Sequence, residues 1–267
     1  MRALPGRRRR VALALAGGLC LAAAADAPDY PAAARALDAE IQRSYAYLDT
    51  LENGRIPQSP ALDARRAAVH DAHSLLAYAE YRLFSLADHH AITGSSFRDS
   101  WAVVPTYADL WIVADGRGYR IDAVRAGSPA ADAGVEAGDR LLAVDGTPID
   151  RAVATFWNEI GTPLTAHRAA FTARILAAGR RDRARNLTIA DPAGRTRALA
   201  LPSLYSIDRT LPPLTVAAER GRTVIRFNNS LGDDATIAAF DQAMARVPAR
   251  ATIVLDLRET PSGGKPL

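Results

Sequence analysis

The stretch AGSPAADAGVEAGDRLLAVDGTPI, residues 126–149, decides how the middle of this chain folds, because it places a short helix and a strand between tight turns. Serine followed by proline is typical of a helix start, and a glycine after the helix supplies the left-handed residue that ends it. Further glycines lie at turns that favour positive φ. The residues that mark these breaks are Gly127, Ser128, Pro129, Gly134, Gly138, Asp139, Asp145 and Gly146. The stretch therefore predicts a small β-rich unit around one short helix.

The sequence on both sides of this stretch extends the same unit. Apolar and polar residues alternate before it, and helical and alternating patterns follow it. The predicted elements are strands at 110–113 and 119–124, helices at 151–160 and 165–178, and a hairpin at 185–201. Together they predict one domain over residues 105–202.

Residues 126–149 resemble the signature of a bacterial PDZ domain of the kind attached to secreted proteases. The resemblance implies that an extended peptide is added as a strand and that backbone amides capture its terminal carboxylate. It places the groove between the first strand and a helix after Asp150, and it implies C-terminal tails of unfolded or extended proteins as partners. The implied peptide-binding residues are Ala108, Asp109, Leu110, Trp111 and Ile112.

Residues 210–267 predict the beginning of a separate α/β unit. The segment 214–229 reads as a hairpin, 233–247 as a helix with an acidic cap, and ATIVLDL at 251–257 as an apolar strand without alternation. A strand of that kind is typically covered on both faces, as in a β-α-β unit. The fold class predicted for the whole chain is therefore α+β multidomain.

The order of a helical region, a PDZ domain and this β-α-β unit resembles the carboxyl-terminal processing peptidases of family S41. The match is most specific at Asp256, Leu257 and Arg258 and at the pair Gly263 and Gly264. The resemblance implies that the glycine amides form part of an oxyanion hole, which stabilises the negative charge of the transition state. Thr260 stands where asparagine is usual, and Ser262 adds one residue before the glycines.

Family members supply a nucleophilic serine and its lysine after the glycine pair, whereas Lys265 is the only lysine in this chain. We therefore expect the sequence to be the front portion of an exported serine peptidase, without a catalytic residue of its own and inactive as it stands. A second hypothesis is a non-catalytic peptide-binding PDZ module. A third hypothesis is a metal site formed by histidines on the helical region.

Residues 26–95 predict an N-terminal helical hairpin, with helices at 29–51 and 61–86. This region carries His70, His73, His89 and His90. A spacing of three residues puts His70 and His73 on one helix face, but no HExxH or Glu-x-x-His pairing accompanies them. The sequence therefore predicts neither a metal site nor a cofactor.

Residues 1–25 have the pattern of a secretory signal, with five arginines, an apolar run and small residues near Ala25. The whole chain carries a net charge of +4, so removal of these arginines leaves about −1 and gives no reason to expect nucleic acid. The mature chain has no cysteine, because Cys20 lies in the apolar run. We expect export to the periplasm or the cell exterior, with no membrane span after signal removal. The sequence does not determine the oligomeric state.

Overall fold

The chain forms a helical region followed by two β-sheets. The structure is a computed structural model that describes residues 28–207, 211–228 and 231–257. The signal at 1–25 and the residues Arg258, Gly263 and Gly264 lie outside the described residues. The helices are α1 Tyr30–Ser44, α2 Pro60–Ala67, α3 Ala72–Phe84, α4 Pro129–Asp132, α5 Ile149–Ile160, α6 Ala166–Ala178 and α7 Asp234–Met244. The strands are β1 Leu110–Ala114, β2 Tyr119–Val124, β3 Arg140–Val144, β4 Thr147–Pro148, β5 Arg185–Ala190, β6 Thr196–Leu201, β7 Leu214–Glu219, β8 Arg222–Phe227 and β9 Thr252–Asp256.

The helical region contains three helices where the sequence predicted two. The prediction of one helix over 61–86 is wrong, because Asp71 adopts an extended conformation and its side chain accepts a hydrogen bond from the Ser74 amide (2.7 Å). That cap starts α3 anew and leaves His70 before the helix. The first helix ends at Ser44, and two short 3₁₀ turns follow it. Among the described residues, no helix is both long and apolar enough to cross a membrane.

A buried polar network joins α1 to α3. The Arg82 side chain is fully buried, and its Nε lies 3.0 Å from the Asp38 carboxylate. The same carboxylate accepts a hydrogen bond from the Tyr78 hydroxyl and pairs with Arg66 of α2 at 2.8 Å. One acidic side chain on α1 therefore fixes the positions of both following helices.

The larger sheet is antiparallel and runs in the order β1, β2, β3, β5, β6, with β4 paired beside β3. Its buried face packs against α5 and α6, and α6 lies against β1. The core includes Ile112, Ile121 and Ile189 from the strands and Trp157 and Phe171 from the helices. Because β1 ends the strand order, its far edge faces α6 rather than another described strand.

The smaller sheet contains β7, β8 and β9. The first pair is antiparallel and the second is parallel, with α7 connecting β8 to β9. This arrangement is the expected β-α-β unit, and Asp233 caps α7 by accepting the Thr236 amide at 3.0 Å. The prediction that β9 is covered on both faces is wrong for the described residues, because Leu255 remains 52% exposed. The mixed α and β architecture predicted for the chain is confirmed.

Candidate functional site

The residues of the 126–149 motif build turns and helix ends. The Ser128 hydroxyl accepts a hydrogen bond from the Ala131 amide (3.3 Å), and Pro129 occupies the first turn of α4. Gly134 after the helix has φ +71°, as the sequence predicted. Asp145 and Gly146 both have positive φ, which is the geometry of a two-residue turn that matches strand twist. The motif therefore shapes the backbone around β3.

Arg197 of β6 ties this motif to the far side of the sheet. Its guanidinium donates to the Asp139 carboxylate (2.9 Å) and to the carbonyl oxygens of Ala133 and Gly134. The Asp139 carboxylate also accepts the Glu136 amide at 3.2 Å. Sequence reasoning missed Arg197, because its partners are 58 to 64 residues earlier in the chain. The arginine satisfies carbonyls that the short helix leaves without partners.

The five residues implied for peptide binding lie at the start of β1. The side chains of Ala108, Leu110 and Ile112 are buried, whereas Trp111 is 36% exposed. The Asp109 carboxylate is also buried, where it pairs with Arg185 at 2.6 Å and accepts the Ala130 amide at 3.1 Å. From this group, the backbone and the Trp111 ring are thus the parts that a ligand can reach.

Sequence reasoning also did not identify the buried Arg185, although the alternation of residues along β5 indicated it. Arg185 shares strand parity with Leu187 and Ile189, which face the core. A charged residue at an inward position requires a partner of opposite charge, since an unpaired buried charge is costly. The sequence could therefore have shown that an acidic side chain must reach this place, but not that it is Asp109.

The backbone of Ile112 faces the outer edge of β1. Ile112 is paired with Ile121 in β2. Ile121 uses its own N–H and C=O toward β3, at 2.8 Å to Asp139 and 2.8 Å to Gly138. In an antiparallel ladder both members of such a pair turn their hydrogen-bonding groups away from each other. The N–H and C=O of Ile112 consequently point away from β2, toward α6.

Side chains from two other segments lie along this edge. The Arg174 Nε–H of α6 donates to the Ile112 carbonyl oxygen (2.8 Å), and the guanidinium lies 3.7 Å from the centre of the Trp111 ring. The His89 ring stacks on Phe171 at 4.4 Å and lies 6.0 Å from Trp111. Burial, and secondarily the nearby Arg174, lowers the pKa of His89 to about 3. Sequence reasoning singled out His89 only as a metal candidate and did not identify Arg174.

The histidines of the helical region lie in unrelated surroundings. His70 precedes α3 and is largely exposed, His73 packs against Phe97 at 4.6 Å, and His89 stacks within the sheet domain. Within residues 28–207, 211–228 and 231–257, no group of three or more histidine, cysteine or acidic side chains could hold a metal ion. The prediction that His70 and His73 share one helix face is wrong, because His70 precedes α3.

The end of β9 lies beside the beginning of β1. The Asp256 carboxylate accepts a hydrogen bond from Arg226 of β8 at 2.9 Å, and Leu257 after it is half exposed. A cleft of about 470 Å³ lies between the Arg226–Asp256 pair and the domain of the larger sheet. It is lined by Pro105, Ala108, Asp109, Leu110, Trp111, Ala123, Val124, Arg125, Ala126, Arg226 and Asp256. Asp256, from the predicted peptidase motif, and the predicted peptide-binding strand therefore line the same cleft.

Comparison with known proteins finds similarity to PDZ domains in the middle of the larger sheet. The PDZ domain family matches residues 120–154. No curated protein matches the chain as a relative in sequence. Similar solved structures include a photosystem II D1 C-terminal processing protease (16% identity, 89% of this chain and 62% of that one, TM-score 0.41). Others are mature CPAF (13%, 88% and 56%, 0.33) and a putative S41 protease from Bacteroides fragilis (17%, 86% and 56%, 0.26). The chain thus spans less than two thirds of each.

Proposed function

We propose that this chain binds the C-terminal tails of extended or unfolded polypeptides along the outer edge of β1, as the recognition part of an exported S41-type serine peptidase. The observation that carries the proposal is the shared cleft, in which the start of β1 faces the end of β9. A tail held at β1 would lie across this cleft from Asp256 at the end of β9. The predicted oxyanion glycines Gly263 and Gly264 follow β9 in the sequence.

Backbone pairing is the source of affinity in this proposal. A peptide that adds to a sheet edge forms main-chain hydrogen bonds, and its side chains then supply selectivity. Ile112 presents both a donor and an acceptor outward, and the PDZ match covers the adjoining strands and turns. The role of serine chemistry rests on the resemblance of the β9 segment to the family. The signal-like residues 1–25 support export.

A non-catalytic peptide-binding module is the second candidate. The observation that favours it is that Lys265 is the only lysine of the chain, so no serine–lysine pair can form from the residues before it. Both candidates share tail binding at β1, and they differ in whether a bound polypeptide is cut. Residues 26–267 alone should release no fragments from an unfolded protein substrate, and turnover that Ser262→Ala abolishes would contradict this expectation.

The binding step is tested by titrating residues 26–267 with a fluorescent peptide that ends in Val-Ala-Ala with a free carboxylate. We expect a dissociation constant in the micromolar range, weakened about tenfold by amidation of the terminus. Hydrogen exchange should show slower exchange of the Ile112 amide on binding. The amides of β6, on the opposite edge of the same sheet, serve as the internal control. Equal affinity for both peptides, or protection confined to β6, would refute the proposal.

A further inference from the structure

The Arg174 side chain lies across the edge at which a ligand strand would pair. Its Nε–H holds the Ile112 carbonyl oxygen at 2.8 Å, while its guanidinium covers the outer face of Trp111 at 3.7 Å. The Arg174 side chain therefore reaches from α6 over the open edge of β1. A ligand strand needs that same carbonyl as the acceptor for one of its own amides. A ligand strand can therefore pair with the Ile112 carbonyl oxygen only after the Arg174 side chain has moved away.

The charge of Arg174 has no close acidic partner among the described residues. An arginine offers five N–H donors, and the contact with Ile112 uses one of them. Buried Arg185 and half-buried Arg140 are each paired with a carboxylate within 3 Å, but no described acid lies within ion-pair distance of Arg174. Asp122 of β2 acts on it only at longer range. The outward donors of this guanidinium are therefore suited to an incoming anion.

We propose that Arg174 closes the outer edge of β1 in the unliganded protein and, once displaced, selects tails that bring a carboxylate side chain to the face of Trp111. This inference rests on the proposed function, since it assumes that the tail pairs with β1. A neutral tail loses the Arg174 contact without replacement. An acidic tail restores a partner to the guanidinium through a charge-assisted hydrogen bond, which is stronger than a neutral one.

The register of the strands indicates where the acidic residue must stand. The Ile112 side chain faces the core, so the ligand residue directly opposite Ile112 faces the same way. Its two neighbours in the ligand face the side of Trp111 and Arg174, because side chains alternate along a strand. An aspartate at either neighbouring position can reach the guanidinium, whereas an aspartate opposite Ile112 cannot.

The test compares peptides ending in Val-Ala-Ala that carry aspartate or asparagine at each of the five preceding positions. Wild-type protein should prefer aspartate about tenfold at positions two residues apart and at no position between them. In Arg174→Met, we expect the preference to fall below about twofold and the asparagine peptides to bind several-fold tighter than to wild type. Arg174→Gln removes the charge but keeps a polar side chain, and we expect it to lose the aspartate preference as Arg174→Met does.

Arg168→Met is the matched control. Arg168 lies on the same helix, donates to a backbone carbonyl at Pro163 and lies 5.2 Å from the ring of Trp157, and none of its contacts with described residues is to Ile112 or Trp111. Its loss should leave the aspartate preference unchanged. The same preference in wild type and in both Arg174 variants overturns this inference while leaving tail binding intact. Failure of every peptide to bind any variant overturns the proposed function, and with it this inference.

Discussion

The two sheets of this protein contain similar strands but bury them to different extents. In the six-stranded sheet, Ile112, Ile121 and Ile189 are fully buried beneath α5 and α6. In the three-stranded sheet, Ile225 and Phe227 pack against Ala243 of α7, whereas Leu255, which pairs with Ile225 on the edge strand β9, remains half exposed. Strand composition alone does not determine burial. What covers each face of the sheet determines it.

Each sheet also contains an aspartate–arginine pair, and the pair in the larger sheet is the more deeply buried. Asp109 and Arg185 are both buried in the larger sheet. Asp256 is buried in the smaller sheet, but its partner Arg226 remains 45% exposed. An exposed partner keeps much of its hydration and is screened by solvent, whereas a buried pair depends on its own contacts. The same two residue types should therefore contribute differently to stability.

The largest expected effect comes from breaking the buried pair with Asp109→Ala. The change leaves the Arg185 cation buried without its carboxylate and removes the acceptor of the Ala130 amide. We expect a loss of about 3–5 kcal/mol in the free energy of unfolding. Urea unfolding followed by tryptophan fluorescence measures it, because Trp101, Trp111 and Trp157 all precede the smaller sheet in sequence.

The matched control for this change is Asp256→Ala in the smaller sheet, which leaves behind an arginine that water can hydrate, measured by hydrogen exchange of the β8 amides. We expect a loss of about 1 kcal/mol or less, because the arginine is partly exposed. A double variant, Asp109→Ala with Arg185→Met, should recover part of the first loss by removing the stranded charge. Equal losses for the two aspartate–arginine pairs would contradict the distinction between the sheets.

Local patterns predicted most elements of both sheets, because turn residues and strand alternation act over a few residues. The strand at 119–124 and the helix ending at Ala178 lie where the sequence placed them. The helix break at Asp71 was missed, since a capping aspartate and serine override a continuous helical pattern only through their side-chain geometry. The exposed face of β9 was missed because apolar composition does not reveal which neighbours cover it.

The candidate site was less predictable than the fold. The sequence pointed to residues 108–112, and the structure places them at a sheet edge. The groups that act on that edge come from distant segments: Arg174 from α6 and His89 from the loop after α3. Contacts between residues so far apart in sequence depend on tertiary packing, for which neither residue carries a local signal.

A second prediction concerns a titratable group packed only into the larger sheet domain. The folded state lowers the pKa of His89 to about 3, mainly through burial, from an ordinary value near 6.5. The unfolded chain therefore binds a proton that the folded chain does not. Stability is complete above about pH 6.5 and falls as the pH drops toward 3, with a slope of about 1.4 kcal/mol per pH unit at most.

His89→Phe tests this linkage, because phenylalanine keeps a ring against Phe171 and cannot be protonated. We expect wild type to lose about 2 kcal/mol relative to the variant between pH 7 and pH 5. Urea unfolding of both proteins across this range measures the difference, and common acidic groups cancel in the comparison. Parallel stability curves for the two proteins would show that His89 is hydrated in the folded state.

The smallest expected effect tests the exposure of the edge strand β9 in the smaller sheet directly. Leu255→Ser changes a side chain that is 52% exposed on β9, so we expect the free energy of unfolding to change by no more than about 0.5 kcal/mol. Hydrogen exchange of the β8 and β9 amides measures this, and light scattering should show less self-association, since an apolar strand edge promotes pairing between chains. Ile225→Ser, on a fully buried neighbour in the same sheet, is the control and should be strongly destabilising. A loss above about 1.5 kcal/mol for Leu255→Ser would mean that β9 is covered in solution and would remove the contrast between the two sheets.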